Sequence, residues 1–250
     1  MQAGNAVGKL TTSDGKFRIV PMPASGSRPY GIAIDSKDRP WFDEFGANRI
    51  GTVDPVSFKL TEYTISNPSA RPRRIVITPD DKIFVGDYAR GMLVRLDPVT
   101  GKISEWANPS GANSGPYAMA GDNTGRVWQV ETGPQPNQFV AFDPKSEKFG
   151  TPVPIAKSGG LVVRHMVFDP KSRSIWFGTD ANTIGRAQVG ARRGGQADAL
   201  DSPRFAVEEL ALQLLGSPVG AGRRLWIFLS RQKLNRLPDY RGVAGDPAVT

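Results

Sequence analysis

Few side chains in this sequence could do acid–base or metal chemistry, which narrows the search for a site. His165 is the one histidine, and there is no cysteine, so a multi-histidine metal site, a thiolate metal site and a cysteine nucleophile are excluded. A Ser-His-Asp triad would have to use His165. The chain carries no Walker loop, Rossmann fingerprint or HExxH motif. His165 is the candidate general acid or base, and the alternative is a packed or solvated residue without catalytic duty.

Three other polar-tipped residues occupy places equivalent to that of His165. Tyr30, Arg73 and Tyr117 each follow a turn, and they recur at a spacing of roughly 43 to 48 residues. We expect these side chains to project together with His165 near one end of a central channel. A concave mouth with a few convergent polar groups is typical of a site for a small polar ligand.

A column of carboxylates, defined as residues that recur at one position of the same spacing, accompanies these residues. It consists of Glu44, Asp87 and Glu131, followed by Thr179 in the last copy. The recurrence predicts an acidic ring at the channel mouth that could hold a hydrated divalent cation or a polar ligand. In the alternative interpretation, each carboxylate accepts backbone hydrogen bonds and connects neighbouring repeats of the fold.

The strands that must position these residues belong to a sequence pattern, here called the repeated phrase, that recurs along the chain. An alternating apolar run such as Tyr30, Ile32 and Ile34 predicts a strand, and a turn, a short aromatic run and a third strand that ends at Asp54-Pro55 follow it. A further run completes a four-stranded antiparallel sheet. The landmarks that recur are Trp41, Phe84, Trp128 and Trp176, and Asp54, Asp97 and Asp143. The fixed period favours an all-β fold, a β-propeller of four-stranded blades, over a β-sandwich.

The repeats divide the first part of the chain into a partial propeller over residues 1–189. Their approximate ranges are 1–24, 25–67, 68–110, 111–157 and 158–189, or about four blade equivalents. The first copy starts inside a blade, because residues 5–10 match residues 48–53. We expect an N-terminally truncated member of a larger propeller, with a four-bladed ring closed by two half-blades as the alternative.

The repeated sequence pattern stops before residue 190, and no copy of it is found in residues 190–250. The pattern predicts a partly helical or irregular tail, with a helix that starts at Ser202-Pro203, continues to Leu215 and stops at Gly216. An apolar run follows at residues 225–229. The tail is interpreted as a frameshifted segment, and a capping or interaction tail is the alternative.

Composition restricts partners and location. The net charge is +8, but the basic residues are scattered without interleaved exposed aromatics, so no specific nucleic acid partner is expected. No stretch has the length of a transmembrane helix and no signal peptide is recognised. A soluble cytoplasmic or periplasmic protein is expected, monomeric if folded, with a small-molecule ligand as its partner.

The blades resemble those of the virginiamycin B lyase (streptogramin lyase) family over about residues 4–189. The residues that carry the resemblance are Pro29-Tyr30-Gly31-Ile32, Trp41-Phe42-Asp43-Glu44, Asn48-Arg49-Ile50-Gly51, Trp176-Phe177 and Asn182-Thr183-Ile184-Gly185-Arg186. The resemblance implies a propeller of about six or seven blades. It also implies a Mg²⁺-dependent carbon–oxygen lyase that opens the lactone ring of type B streptogramins by elimination.

In that family a histidine supplies the general acid/base group, and His165 lies at its position. The resemblance also implies a glutamate two residues before the histidine and another fourteen residues after it, near the metal. Here these positions are Val163 and Thr179. Since Mg²⁺ is held mainly by carboxylate oxygens, we expect no efficient streptogramin lyase activity.

Three functional hypotheses follow. The first is an enzyme of the lyase group that acts on a cyclic ester through His165, assisted by Glu131 or Asp87. The second is a non-catalytic propeller whose channel mouth binds a small polar ligand or a protein partner. The third is an incomplete gene product without a stable function. The fold cannot choose between them, because propellers host many functions.

Overall fold

The computed structural model describes residues 3–155, 162–180, 183–189, 204–206 and 225–227. The strands in these ranges form antiparallel sheets. The first sheet contains β1 (Ala6–Leu10), β2 (Phe17–Pro21) and a strand from the far end of the chain, described below. The second contains β3 (Pro29–Ile34), β4 (Pro40–Glu44), β5 (Arg49–Val53) and β6 (Leu60–Thr64). The third contains β7 (Pro72–Ile77), β8 (Ile83–Asp87), β9 (Met92–Leu96) and β10 (Ile103–Ala107).

Two more sheets follow after a short 3-10 helix at Gly111–Asn113. The fourth contains β11 (Pro116–Gly121), β12 (Val127–Glu131), β13 (Gln138–Asp143), β14 (Lys148–Phe149) and β15 (Val153–Pro154), with β14 and β15 both paired to β13. The fifth contains β16 (Val163–Asp169), β17 (Ser174–Thr179), β18 (Thr183–Gln188) and β19 (Arg204–Ala206). Strand β20 (Leu225–Ile227) pairs with β1.

The core lies between successive sheets, which pack face to face. Trp41 and Ile50 of the second sheet pack against Ile83 and Val94 of the third, and all four side chains are fully buried. Similar clusters join the first sheet to the second, the third to the fourth, and the fourth to the fifth. The first strands of neighbouring sheets also contact each other, from β3 through β7 and β11 to β16. This is the blade arrangement of a β-propeller, as the repeats predicted.

The recurring tryptophan is held by a recurring aspartate. Trp41 Nε1 donates to Asp35 at 2.9 Å, and Trp128 Nε1 donates to Asp122 at 2.9 Å. Both carboxylates are buried, and each accepts further hydrogen bonds from the turn that follows it. A buried indole N–H needs such an acceptor. In the second and fourth sheets, the Asp-to-Trp spacing of the repeat is therefore explained by one side-chain hydrogen bond.

The glycine of the Asn-Arg-Ile-Gly phrase is required by an aromatic ring that covers it. Gly51 pairs across the strands with Phe42, and Gly185 pairs with Phe177. A Cβ atom at either glycine would collide with the ring of its partner. The first copy differs, because a Cβ atom at Gly8 would meet only the Arg18 carbonyl oxygen, at 3.7 Å.

The Asp-Pro turns at the ends of the third strands are held by hydrogen bonds between the aspartate side chain and the backbone of the same turn. Asp54 Oδ1 accepts hydrogen bonds from the backbone N–H groups of Val56 and Ser57, at 3.1 and 2.7 Å, and Asp97 Oδ1 accepts one from Val99 at 2.9 Å. Such side-chain-to-backbone bonds are typical of turns. Val56 and Val99 are the most exposed large hydrophobic residues of the described chain, at 76% and 85%.

The tail departs from the sequence-based prediction at the two segments that the structure describes. Residues 204–206 lie inside the predicted helix, but they form β19, which pairs antiparallel with β18 and completes the fifth sheet. The helix prediction is therefore wrong at these residues, because pairing with an open sheet edge overrides local helix propensity. The remainder of the predicted helix, residues 207–216, lies outside the described residues.

Within the described ranges, no helix is long and apolar enough to cross a membrane.

Candidate functional site

A bulge interrupts the first strand of each of four sheets at the same place. The pairing register shifts between Pro29 and Ile32 in β3, between Pro72 and Ile75 in β7, between Pro116 and Met119 in β11, and between Val163 and His165 in β16. Bulges redirect side chains, and they often lie next to functional sites. Because the four strands are neighbours, the side chains that leave these bulges meet.

Five side chains from the bulges form one group, here called the bulge cluster: Tyr30, Arg73, Arg74, Tyr117 and His165. The hydroxyl oxygens of Tyr30 and Tyr117 lie 2.6 Å apart, and Arg73 Nη2 donates to the Tyr117 hydroxyl at 3.0 Å. Arg74 Nη2 lies 2.7 Å from His165 Nε2 and donates to the backbone carbonyl of Arg164 at 3.1 Å. The structure thus brings together Tyr30, Arg73, Tyr117 and His165, which the sequence analysis had grouped.

Aromatic rings surround the two arginines. The Arg73 guanidinium carbon lies 4.0 Å from the Tyr117 ring centroid and 5.0 Å from that of Tyr30. It lies 4.8 Å from the Phe45 ring and 4.7 Å from the Tyr88 ring. Arg74 lies 4.8 Å from the Tyr30 ring and 5.3 Å from the Tyr117 ring. Cation–π contacts of this kind hold a guanidinium plane in place.

Arg74, Phe45 and Tyr88 are site residues that the sequence analysis did not select. In the sequence, Arg74 is one of several scattered basic residues, and no pattern distinguishes it. Its backbone φ of 80° lies in the left-handed region, which an L side chain rarely adopts, and this conformation belongs to the bulge. Phe45 and Tyr88 each follow directly after a second strand and recur at the same phase, which is the signal that could have identified them.

The strand register corrects the alignment of His165. Val163 pairs with Thr179 as Pro29 pairs with Glu44, so the residue equivalent to Tyr30, Arg73 and Tyr117 is Arg164. His165 lies one position later, in the place of Gly31, Arg74 and Ala118. The sequence-based column was off by one residue at this copy, because no proline marks the start of β16.

The three carboxylates of the acidic column are buried inside the sheets. Glu44, Asp87 and Glu131 each have 0% exposure. Asp87 accepts a hydrogen bond from the backbone N–H of Arg71 at 2.9 Å and forms an ion pair with Arg90 at 2.6 Å.

The other two carboxylates have different surroundings. Glu131 accepts hydrogen bonds from the Ser110 hydroxyl at 2.5 Å and from Gln138 Nε2 at 2.6 Å. Glu44 lies beside Ser27 and Glu62, and burial raises its pKa to about 7. Two of the three carboxylates therefore hold loops at the ends of their strands.

The bulge cluster is a place of positive potential. Partial burial, together with the charge of Arg74, lowers the pKa of His165 to about 4, although one side of the residue faces solvent. Burial raises the pKa of Tyr117, but the hydrogen bonds with Tyr30 and Arg164 and the charges of Arg73 and Arg74 outweigh it and bring the pKa below its usual value. Both shifts favour the less positive form of the group. At neutral pH the imidazole of His165 is uncharged.

Comparison with known proteins assigns the family. The family model described as the virginiamycin B lyase family matches residues 1–198. The chain belongs to this family. The search of curated proteins finds no match.

Solved structures of the virginiamycin B lyase family share the fold. Virginiamycin B lyase from Staphylococcus aureus superposes with a TM-score of 0.69 at 24% identity, over 83% of this chain and 65% of that chain. A catalytically inactive histidine-to-alanine variant of that enzyme, with quinupristin, gives 0.68 at 23% identity, over 84% and 66%. A putative 6-phosphogluconolactonase from Bacteroides uniformis gives 0.60 at 13% identity, over 83% and 70%. This chain therefore spans just under two thirds of the length of the two lyase structures.

The described residues do not fit the magnesium ion that membership of the virginiamycin B lyase family implies. The two positions at which the resemblance implies metal-side glutamates are Val163 and Thr179, which face each other across β16 and β17. Valine has no side-chain oxygen, and threonine offers a neutral hydroxyl. In the part of the chain that the structure describes, no three His, Cys, Asp or Glu side chains lie close enough to share a metal ion. The guanidinium of Arg74 lies 2.7 Å from His165 Nε2, and its positive charge would repel a cation.

Proposed function

We propose that this member of the virginiamycin B lyase family binds a small polar ligand at the bulge cluster and does not efficiently open streptogramin B lactones. The observation that supports this most directly is the contact of 2.7 Å between Arg74 Nη2 and His165 Nε2. Because a guanidinium nitrogen can only donate, it occupies the lone pair through which Nε2 would accept a proton. A pKa of about 4 also makes the imidazole a weak base at neutral pH.

The donor set next to His165 supports the same proposal. An elimination at an ester C–O bond develops negative charge on the substrate, and a metal ion in the family would stabilise that charge. With Val163 and Thr179 at the metal-side positions, this chain offers no carboxylate ligand there. The tyrosines and arginines of the bulge cluster, of which Tyr117 is buried and the others are partly buried, instead offer several hydrogen-bond donors that converge on one place. Such convergence is a common property of ligand sites.

A lyase activity through His165 remains the second candidate, since the chain belongs to the virginiamycin B lyase family. A ligand that displaced Arg74 from Nε2 would restore the base. Elimination can be recognised, because it opens the lactone ring without adding water, whereas hydrolysis increases the mass by one water.

The proposal is tested with quinupristin in the presence and absence of MgCl₂. We expect mass spectrometry to find no ring-opened product, while the ¹H NMR signals of the His165 ring shift as quinupristin is added, because the chain has one histidine and its signals are unambiguous. The matched variant is His165→Ala. Magnesium-dependent ring opening that is lost in this variant would establish the lyase activity instead, and unchanged His165 signals would remove the binding site.

A further inference from the structure

The two arginines of the bulge cluster lack a counter-ion. The ion pairs of the described residues include neither Arg73 nor Arg74. Guanidinium groups stay protonated at any physiological pH. Arg164, which lies next to them, differs because its Nη2 lies 3.8 Å from Asp180. Within the part of the chain that the structure describes, neither guanidinium group of the cluster thus has an ion-pair partner.

These charges are held close to each other. Arg73 and Arg74 stack on the same two rings, those of Tyr30 and Tyr117, at distances between 4.0 and 5.3 Å. Like charges at short range repel, and the repulsion increases as water is excluded. Rings on several sides fix Arg73, so it cannot swing out to solvent without losing its cation–π contacts. An anion between the two guanidinium groups would remove the repulsion.

Donor groups of both arginines are buried without a partner. The Nε atoms of Arg73 and Arg74 are inaccessible to solvent and make no hydrogen bond within the described residues. Leaving a buried charged donor unsatisfied destabilises a fold. Stacked guanidinium groups keep their N–H edges available, and the planar fork matches the oxygens of a carboxylate or phosphate.

The nearest buried acid does not neutralise the cluster. Asp43 lies behind Gly31 and accepts the Gly31 backbone N–H at 2.9 Å, while its Oδ1 has no partner in the described chain. Burial raises its pKa to about 8, although the Gly31 hydrogen bond and the charge of Arg74 act in the opposite direction. The Asp43 carboxyl forms no ion pair with Arg73 or Arg74 among the ion pairs of the described residues.

From this geometry we propose that the bulge cluster binds an oxyanion, the carboxylate or phosphate group of a small ligand, through the N–H groups of Arg73 and Arg74 and the hydroxyls of Tyr30 and Tyr117. The inference deepens the binding function proposed above and rests on it. It also reverses the charge of the expected occupant, since family resemblance implies a cation at this end of the first strands.

The experiment titrates the full chain with sodium phosphate, and separately with sodium acetate, against sodium chloride of equal ionic strength at neutral pH. The ring signals of His165 report on the site, because its Nε2 contacts Arg74. We expect a saturable shift and a rise in the pKa of His165, since a bound anion favours the imidazolium. Arg73→Gln and Arg74→Gln should each weaken binding by about tenfold or more, as expected for charge-assisted hydrogen bonds.

Arg95→Gln is the matched control. Arg95 also stacks on an aromatic ring, 4.8 Å from that of Trp106, but it is paired with Glu147 at 2.8 Å. The substitution removes the same charge from the molecule and should leave phosphate binding unchanged. Arg73→Lys keeps the charge without the planar fork and should bind with intermediate affinity. Near-UV circular dichroism shows whether each variant is folded, and Arg73→Lys keeps the test valid if Arg73→Gln is not.

Each outcome decides the inference. Binding of phosphate alone would identify a phosphate-bearing ligand, and binding of acetate alone a carboxylate-bearing one; binding of both would establish a general oxyanion site. If neither anion shifts the His165 signals beyond the chloride control, the inference is wrong. It is equally wrong if Arg95→Gln weakens binding as much as Arg74→Gln does. A shift with quinupristin but with neither anion would leave the proposed binding function intact while overturning the anion site.

Discussion

His165 and Arg74 show how one contact changes the chemistry of a side chain. A free imidazole titrates near neutral pH and is a good general base. Here a guanidinium lies 2.7 Å from Nε2, so protonation would place two positive charges side by side. Burial and this charge lower the pKa of His165 to about 4. The presence of a histidine at the catalytic position of a family therefore does not establish that it can act as a base.

At the residue scale, we predict that Arg74→Gln raises the pKa of His165 toward its ordinary value of 6.5, because one of the two causes of the shift is removed. A ¹H NMR pH titration of the single histidine measures this directly, and Arg95→Gln should leave the pKa unchanged. An unchanged pKa in Arg74→Gln would mean that burial alone sets it.

The lowered pKa also predicts a direction for stability. The unfolded chain binds a proton at His165 near pH 6.5, whereas the folded chain binds it only near pH 4. Between these values the unfolded state holds more protons, so the contribution of His165 to stability decreases as pH falls through this window and is constant above it. His165→Gln should remove this part of the pH dependence in urea unfolding curves.

At the element scale, the repeated phrase predicted most of the strands because their causes are local. Alternating apolar residues, Asp-Pro ends and glycines under aromatic rings leave direct marks in the sequence. The bulges leave no such mark. A bulge adds one residue to its strand, and for this reason Arg74 was missed. His165 was placed in the column of Arg164 because no proline marks the start of β16. The strand at residues 204–206 was missed because it forms by pairing with a distant edge.

The covered glycines give a prediction for a single element. Gly51→Ala should destabilise the chain by about 1–3 kcal/mol, since its Cβ would collide with the Phe42 ring in a well-packed interior. Gly8→Ala is the control, because it changes the same position of the phrase where the nearest atom is 3.7 Å away. It should have little effect or be slightly stabilising. Equal losses in urea denaturation would show that the ring contact is not the reason for the glycine.

At the scale of the whole molecule, two short strands from the C-terminal part of the chain pair with strands at the two ends of the array of sheets. Strand β19 pairs with β18, and β20 pairs with β1. Without them, β18 and β1 would each present an unpaired edge, which is a template for aggregation. From sequence the tail is interpreted as a frameshifted segment, with a capping or interaction tail as the alternative. In a capping tail, these two strands would cover edges of the array.

We therefore predict that a chain ending at residue 203, which lacks β19 and β20, melts at a lower temperature and elutes partly as aggregates. The measurement is a near-UV circular dichroism melt with size-exclusion chromatography, compared with the full chain. The double substitution Arg236→Gln and Arg241→Gln, in the full chain, removes charge from the deleted segment without shortening it and controls for loss of tail charge. An unchanged melt of the shortened chain would support the frameshift interpretation.

The Asp-Pro turn at Val99 offers a place to attach a label to the molecule. Val99 is 85% exposed, and Asp97 at the start of its turn accepts the Val99 backbone N–H. Since the chain has no cysteine, Val99→Cys would create a unique thiol on an exposed, hydrogen-bonded turn. A fluorophore or a surface linker attached there would be carried on a turn that shares no residue with the bulge cluster.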